Sequence, residues 1–324
     1  MNYRPIYQIS IGNLVLSTQE TNRLVELDVH AGLETPVHEC RMVLPQFNDL
    51  TIEEGVPVSV QLGYDQQMEQ VFTGELHRQE QGAERLTLIA RSACKRLVKR
   101  RLDLYFEGMT AGEMVTTICQ QEKVLPGIIQ PGLRFSYYAL GRDRSAYSHL
   151  KYLAAQCGFD LYANEKDRLV FARTAAIAVH SFTYQVNIIS FRFSDGKAIG
   201  EKWEVFGESP ASLGQGPQGA YWLTKREVKG SAGLGGKSVH QIYAPTIRSL
   251  DNASLMAKAL QKKQENRKRI CICTMGAPEV KIGDTIQINQ MPEKQQNGWY
   301  KLIDIRHRLN AQSGFISQFK MQEL

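Results

Sequence analysis

The sequence predicts a mainly β protein with an inserted α/β domain and two β-barrels in one chain. Three observations predict it. Apolar residues alternate with period two toward both ends, the spacing turns helical in the middle, and two similar segments stand far apart in the chain. With 324 residues there is enough chain for two or three domains with their own cores.

From Ile9 to Arg91 strand follows strand. Val25, Leu27 and Val29 alternate with Glu26, Asp28 and His30, and Cys40, Met42 and Leu44 with Arg41 and Val43. Val56, Val58, Val60 and Leu62 alternate with Pro57, Ser59 and Gln61, and Leu86, Leu88 and Ala90 with Thr87, Ile89 and Arg91. Such alternation marks strands with one wet and one buried face, and their close spacing suggests a sandwich or barrel. Pro57 cannot donate to a ladder, so its strand is an edge or starts there.

Near Arg101 the pattern changes. Thr110 and Glu113 form a capping box, with Met114, Val115, Ile118 and Cys119 at helical spacing behind it. Pro126, Gly127, Pro131 and Gly132 then break the chain. Ser145 caps a second helix whose stripe is Tyr147, Leu150, Ala154 and Cys157, and Gly158 is placed for a left-handed stop. Phe159 and Leu161 lead into a hairpin across Asn164–Asp167, answered by Leu169 and Phe171.

After Ala175 the strands return. Phe182, Tyr184, Val186 and Ile188 share one parity; Ile189, Phe191 and Phe193 share the other, which predicts a bulge or bend near Ile188. Residues 207–220 and 229–237 read as loops, and Asp251 to Arg267 as a helix. The expected domains are a first β-barrel at 1–101, an inserted α/β domain of two helices and a hairpin at 102–175, and a second β-barrel at 176–324 with one helix around 251–267.

The segments Glu54–Arg78 and Ile282–Arg308 are alike. Each has a glycine before an alternating strand, a polar turn and an aromatic opening a second strand; Phe72 follows Gly55 by 17 positions, and Tyr300 follows Gly283 by 17.

Composition narrows the function. Hydrophobic residues make up 43% and charged residues 22%, as in a globular protein. No apolar run approaches the roughly 18–20 residues that span a bilayer, and the start lacks a signal-peptide pattern. We expect synthesis and folding in the bacterial cytoplasm. The net charge of +6 is mild and permits an acidic partner without requiring nucleic acid. Six scattered cysteines include Cys271 and Cys273 on one strand face, but no partner pair stands at zinc-like spacing, so buried thiols are expected and no metal site. The run Gly-Leu-Gly-Gly-Lys237-Ser238 ends like a phosphate-binding loop. Ser231 holds the position of its first glycine and a β-like stretch with Pro245 follows, so that reading is rejected. No HExxH or GxSxG pattern accompanies the seven histidines, and His307 between Arg306 and Arg308 has no nameable nucleophile. The basic clusters Lys95–Arg101 and Lys262–Arg269 lack interleaved aromatics and read as solvated faces or subunit contacts rather than a nucleic-acid groove.

Three stretches carry a resemblance. They are GVPVSVQLGY…VFTGELHR, AYSHLKYLAAQCGFDLYANEKDRLVF and MGAPEVKIGDTIQI…NGWYKLIDIRHRL…SGF. In order and spacing they resemble the phage late control protein D family, the baseplate or tail hub proteins of contractile phages and related injection machines. They are also similar to the N-terminal part of type VI secretion VgrG spikes. The resemblance implies two tail-tube-like barrels per chain and a homotrimer with six barrel units, matching a three-fold spike to a six-fold tail tube. The α/β insertion is expected to hold the barrels apart and to offer a surface to spike or baseplate wedge proteins. The implied partners are further copies of the chain, a separate spike protein, the tail tube protein and wedge proteins, with nucleic acid only as cargo in the lumen. Lys229, Leu234 and Lys237 in the glycine-rich loop and Lys262 and Lys263 in the basic run are the candidate partner contacts. No catalytic residue or cofactor is implied. A VgrG chain continues into a needle, whereas this chain ends at Leu324, so the expected setting is a phage tail, tail-like bacteriocin or extracellular injection particle. The alternatives are a peptidoglycan-degrading tail enzyme and a nucleic-acid-binding protein.

Overall fold

The computed structural model describes residues 4–19, 23–46, 52–65, 67–173, 178–195, 201–208, 228–233, 238–264 and 268–324. The first β unit comprises β1 (Pro5–Ile11), β2 (Leu14–Ser17), β3 (Glu26–Gly32), β4 (Glu39–Pro45), β5 (Pro57–Tyr64), β6 (Gln67–Gln81) and β7 (Arg85–Arg91). Its strands lie in the order β3-β4-β7-β6-β5-β1-β2, all antiparallel. The alternation works as expected: Ile9, Leu27, Met42, Val60 and Leu88 face one core. Pro57 is the first residue of its strand, where a missing N–H costs least.

The middle of the chain forms α1 (Cys94–Lys99), β8 (Leu104–Glu107), α2 (Ala111–Gln121), β9 (Leu125–Ile129), β10 (Tyr137–Leu140), α3 (Ala146–Cys157), β11 (Asp160–Ala163) and β12 (Arg168–Ala172). Thr110 and Glu113 make the reciprocal capping box at α2. Ser145 caps α3 through the Ser148 N–H, and Gly158 ends that helix at φ 68°. Asn164 Oδ1 closes the hairpin by accepting from the Lys166 and Arg168 N–H groups. Pro126 and Gly127, read from sequence as a break, lie inside β9 instead. That strand pairs parallel to β12 at the edge of a three-stranded sheet, where proline is tolerated.

The rest comprises β13 (Val179–Thr183), β14 (Ile188–Ser194), β15 (Glu201–Gly207), β16 (Lys229–Ala232), β17 (Ser238–Ala244), α4 (Leu250–Gln264), β18 (Arg269–Met275), β19 (Thr285–Asn289), β20 (Gly298–Asn310) and β21 (Gly314–Glu323). The register shift expected near Ile188 falls between Ile188 and Ser190. Residues 229–232, expected in a loop, form a strand because they pair with β15. The helix predicted around 251–267 is described from Leu250 to Gln264, and residues 265–267 lie outside the described residues, as do 209–220 of the other expected loop.

Although residues 201–264 follow β14 in sequence, their core joins the middle unit. Val205, Ala244, Ile247, Met256 and Ala257 lie in one cluster with Met114, Ile118, Leu150 and Phe171. The close fit of α4 on β16 explains Gly230: a Cβ there would lie 2.1 Å from the Ala253 carbonyl carbon. The α/β unit is thus built from two stretches, one after β7 and one after β14.

Removing both stretches exposes a duplication. The second β unit runs β14-β18-β21-β20-β19-β13, and the first runs β3-β4-β7-β6-β5-β1. Strand for strand the chain order is the same. The units differ in sense only at the last pair, antiparallel for β1·β5 and parallel for β13·β19. Hydrogen bonds repeat as well. The Gly55 N–H donates to Leu76 O (2.8 Å) and the Leu76 N–H to Val56 O (2.9 Å). The Gly283 N–H donates to Leu302 O (3.1 Å) and the Leu302 N–H to Asp284 O (2.9 Å). Both glycines have positive φ, 86° and 92°. A register shift follows each leucine, between Leu76 and Arg78 and between Leu302 and Asp304. The structural equivalence is therefore Leu76 with Leu302. This is two residues off the Phe72–Tyr300 match suggested by sequence, because the hairpins differ in length.

Candidate interaction surfaces

The two β units are hydrogen-bonded to each other. β20 pairs with β21 along its length, with β19 through residues 298–301, and with β3 through residues 304–310. The change of partner falls at the bulge after Leu302. This corrects the expectation that the α/β insertion holds the barrels apart, since a seven-residue ladder joins them into one 13-stranded sheet. Asp28 on β3 is the electrostatic centre of the seam. Its carboxylate accepts from Arg306 Nε at 2.7 Å and Nη2 at 2.5 Å, and from Arg308 Nε at 3.1 Å. His30 lies 2.9 Å from Asp304 Oδ2, a hydrogen bond that raises the pKa of the imidazole.

Where the three units meet, a cavity of about 140 Å³ is lined by residues including His38, Phe72, Tyr162, Glu165, Lys281 and His307. Both histidines are buried. His307 Nδ1 lies 2.8 Å from Ser317 Oγ, which itself accepts from the Ala277 N–H at 2.9 Å, leaving its proton for the imidazole. Burial, with Lys281 nearby, lowers His307 to about 3. Burial lowers His38 to about 4, against the opposing pull of its Gly32 hydrogen bond. Lys281 Nζ donates to Gln70 O at 2.6 Å, and Thr73 Oγ1 donates to Glu165 O at 2.8 Å, tying the first unit to its neighbours. Asp167 accepts from the Ala93 N–H before α1, and burial pushes its carboxyl up to about 7.

Much of the basic surface is engaged within the chain. Lys95 Nζ lies 2.9 Å from Glu75 Oε2, and Arg96 pairs with the same carboxylate. Arg100 pairs with Glu122 at 3.1 Å, Arg101 donates to Asp143 O at 2.7 Å, and Lys268 pairs with Glu323 at 3.0 Å. Among the candidate contacts, Lys229 lies 3.2 Å from Glu204 Oε1 and 4.8 Å from the Phe206 ring centroid, inside the β15–β17 sheet. Lys202 and Lys229 together hold the Glu204 carboxyl below its usual range. Lys262 is exposed on α4. Leu234 and Lys237 lie outside the described residues, as does the side chain of Lys263, so the five are not seen to form one patch.

Among the described residues no group of three or more His, Cys, Asp or Glu could hold a metal ion, and all six cysteines are free thiols. Sequence reasoning missed two His–Asp pairs, His30 with Asp304 at the seam and His180 Nε2 at 3.0 Å from Asp284 Oδ2 just before β19. His180 and Asp284 stand 104 positions apart, so nothing local could have signalled their pairing. The same Asp284 oxygen accepts from the Lys281 N–H at 2.8 Å, which makes the aspartate a turn-builder before β19.

Several strand edges are left open among the described residues, and two of them belong to the duplicated units at the seam. β14 ends the sheet order, with exposed Ile189 (60%) on it and exposed Val186 (77%) just before it. The outer edge of Arg78–Gln81 on β6 also lacks a partner strand, because β5 stops at the Pro57–Glu75 pair.

No family model matches the sequence, and no curated protein matches it. Solved structures do. A 43 kDa tail protein of prophage MuSo2 from Shewanella oneidensis matches with a TM-score of 0.74 at 13% identity, over 98% of this chain and 98% of that one. A tail protein from Neisseria meningitidis gives 0.71 at 14% identity, over 99% and 97%. A type VI secretion component from E. coli, structurally similar to the T4 bacteriophage tail proteins gp27 and gp5, gives 0.63 at 7% identity, over 98% and 76%. At these identities the likeness is one of fold. The chain carries a mainly β fold found in phage tail proteins and in a type VI secretion component, in keeping with the resemblance drawn from its sequence.

Proposed function

We propose that this chain is a non-enzymatic structural hub of a contractile tail or injection particle. Three copies assemble as a ring of six β units, receive a three-fold spike on one face and nucleate a six-fold tube on the other. The carrying observation is the duplicated six-strand topology, with the two copies joined head to tail through β3·β20. A chain with two like modules side by side is suited to matching three-fold to six-fold symmetry. The tail-protein fold supports the same reading. Partners are a separate spike protein, the tube protein and wedge proteins, with assembly in the bacterial cytoplasm.

Light scattering of the purified chain, alone and with its candidate spike protein, tests this. A particle of three 36.6 kDa chains in either condition is the expected result. A monomer in both would overturn the ring, and robust cell-wall hydrolysis would overturn the non-enzymatic reading.

A further inference from the structure

The seam inside one chain specifies the seam between chains. In the strand-for-strand equivalence, β14 stands where β3 stands and β6 stands where β20 stands. Within the chain, β3 pairs with the outer edge of β20. The counterparts of those two strands are left open when that contact is used once, β14 on the second unit and Arg78–Gln81 on the first. A heterologous contact used once inside a chain leaves complementary ends that repeat it between chains.

We propose that the end of β14, Phe193 and Ser194, pairs antiparallel with Gln81 and Glu80 on the outer edge of β6 in the next copy, in the register of β3·β20. The inference rests on the ring reading above and assigns its interface. The registers follow from the pairings on the page. Val29 faces Cys40 and Phe193 faces Ile270, at matching positions of β4 and β18, so Phe193 takes the place of Val29 and Phe191 that of Leu27. Leu27 and Val29 are fully buried, at 0% and 1%. Phe193, which would face Gln81, is only half-buried, as expected of an edge awaiting its neighbour.

Charge agrees with register. Arg192 takes the place of Asp28, and Glu80, two residues beyond Arg78, takes that of Arg306. The Asp28–Arg306 ion pair of the internal seam thus becomes Arg192–Glu80 between copies, with the signs exchanged. Both residues are exposed in the single chain. The Arg308 position falls on Gly82, just past β6, so the intermolecular seam keeps one of the two ion pairs. Exchanged signs also discourage a wrong closure, because β14 placed on β20 would set Arg192 against Arg306.

The test uses the full-length chain. Arg192→Glu and Glu80→Arg should each weaken self-association about tenfold, and the double reversal should recover most of the loss. Independently, a chain carrying Glu80→Cys and Ser194→Cys should give an interchain link between those positions with a short bismaleimide, identified by mass spectrometry. Ser194 should face Glu80 as His30 faces Arg306. A trimer unaffected by either reversal and giving no such link would overturn this seam while leaving the ring reading intact. A chain that stays monomeric and unlinked, with and without a spike protein, would overturn both.

Discussion

Acidification from pH 7 to pH 5 should loosen the junction of the three units, and His38 and His307 set the size of the effect. Both are buried and neutral, with folded values of about 4 and about 3, burial being the first cause in each. An unfolded histidine titrates near about 6.5. Below that value the unfolded chain binds more protons than the folded one, so stability falls as pH falls. The loss starts near the unfolded value and continues down to the folded ones. At pH 5 it is ~2 kcal/mol per histidine and ~4 kcal/mol for the pair, at ~1.4 kcal/mol per pH unit and group. His30 and Asp167 work in the opposite sense: burial pushes the Asp167 carboxyl up to about 7, so the folded chain takes up its proton between pH 7 and pH 5 while the unfolded chain does not, and this offsets part of the loss. The His30 value is raised by Asp304, so its contribution is fully present in acid and offsets a further part. Amide exchange of peptides from β3, β20 and β21, corrected for the intrinsic pH dependence of exchange, reads the local opening free energy. His307→Asn keeps an acceptor for the Ser317 hydroxyl and takes up no proton, so it should lose ~2 kcal/mol less than the wild type. An equal change in the two proteins between pH 7 and pH 5 would refute the reasoning.

Two further outcomes follow from local geometry. Gly230→Ala would drive a Cβ into the backbone of Ala253 and should destabilise the α/β unit by ~1–3 kcal/mol. Thermal unfolding followed by near-UV signals checks it, and an unchanged midpoint would mean that α4 does not press on β16. Thr110→Ala removes the acceptor for the Glu113 N–H and should cost ~1 kcal/mol. The loss should show as faster exchange confined to the first turn of α2.

The strand-rich ends, the two capped helices and the hairpin were legible because each is fixed by short-range rules. Alternation sets a strand's buried face, and Thr110, Ser145 and Gly158 act within a few residues of themselves. The duplication was legible only approximately. Aromatic residues suggested its register, whereas hydrogen bonds at Leu76 and Leu302 set it. The seam was not legible. Asp28 on β3 and Arg306 on β20 look like solvent-facing positions of alternating strands, and only the approach of segments 278 residues apart turns them into an ion pair with a buried carboxylate. The assembly of one α/β core from two separated stretches was hidden for the same reason. The candidate contact lysines rest on charge and loop composition, which do not reveal that the Lys229 ammonium also meets Glu204 and Phe206 within the chain.

The shared strand also sets a timetable for synthesis. β3 emerges from the ribosome well before the strand that covers its edge, with Arg306 arriving 278 residues after Asp28. Phe315 and Leu309, which help fill the first core, come later still. At bacterial elongation speeds the nascent first unit waits roughly 15–55 s with an apolar edge uncovered. Its final shape waits on strands made much later, so the first unit is the part of this chain longest exposed to chaperones, and to its own nascent neighbours on the same message.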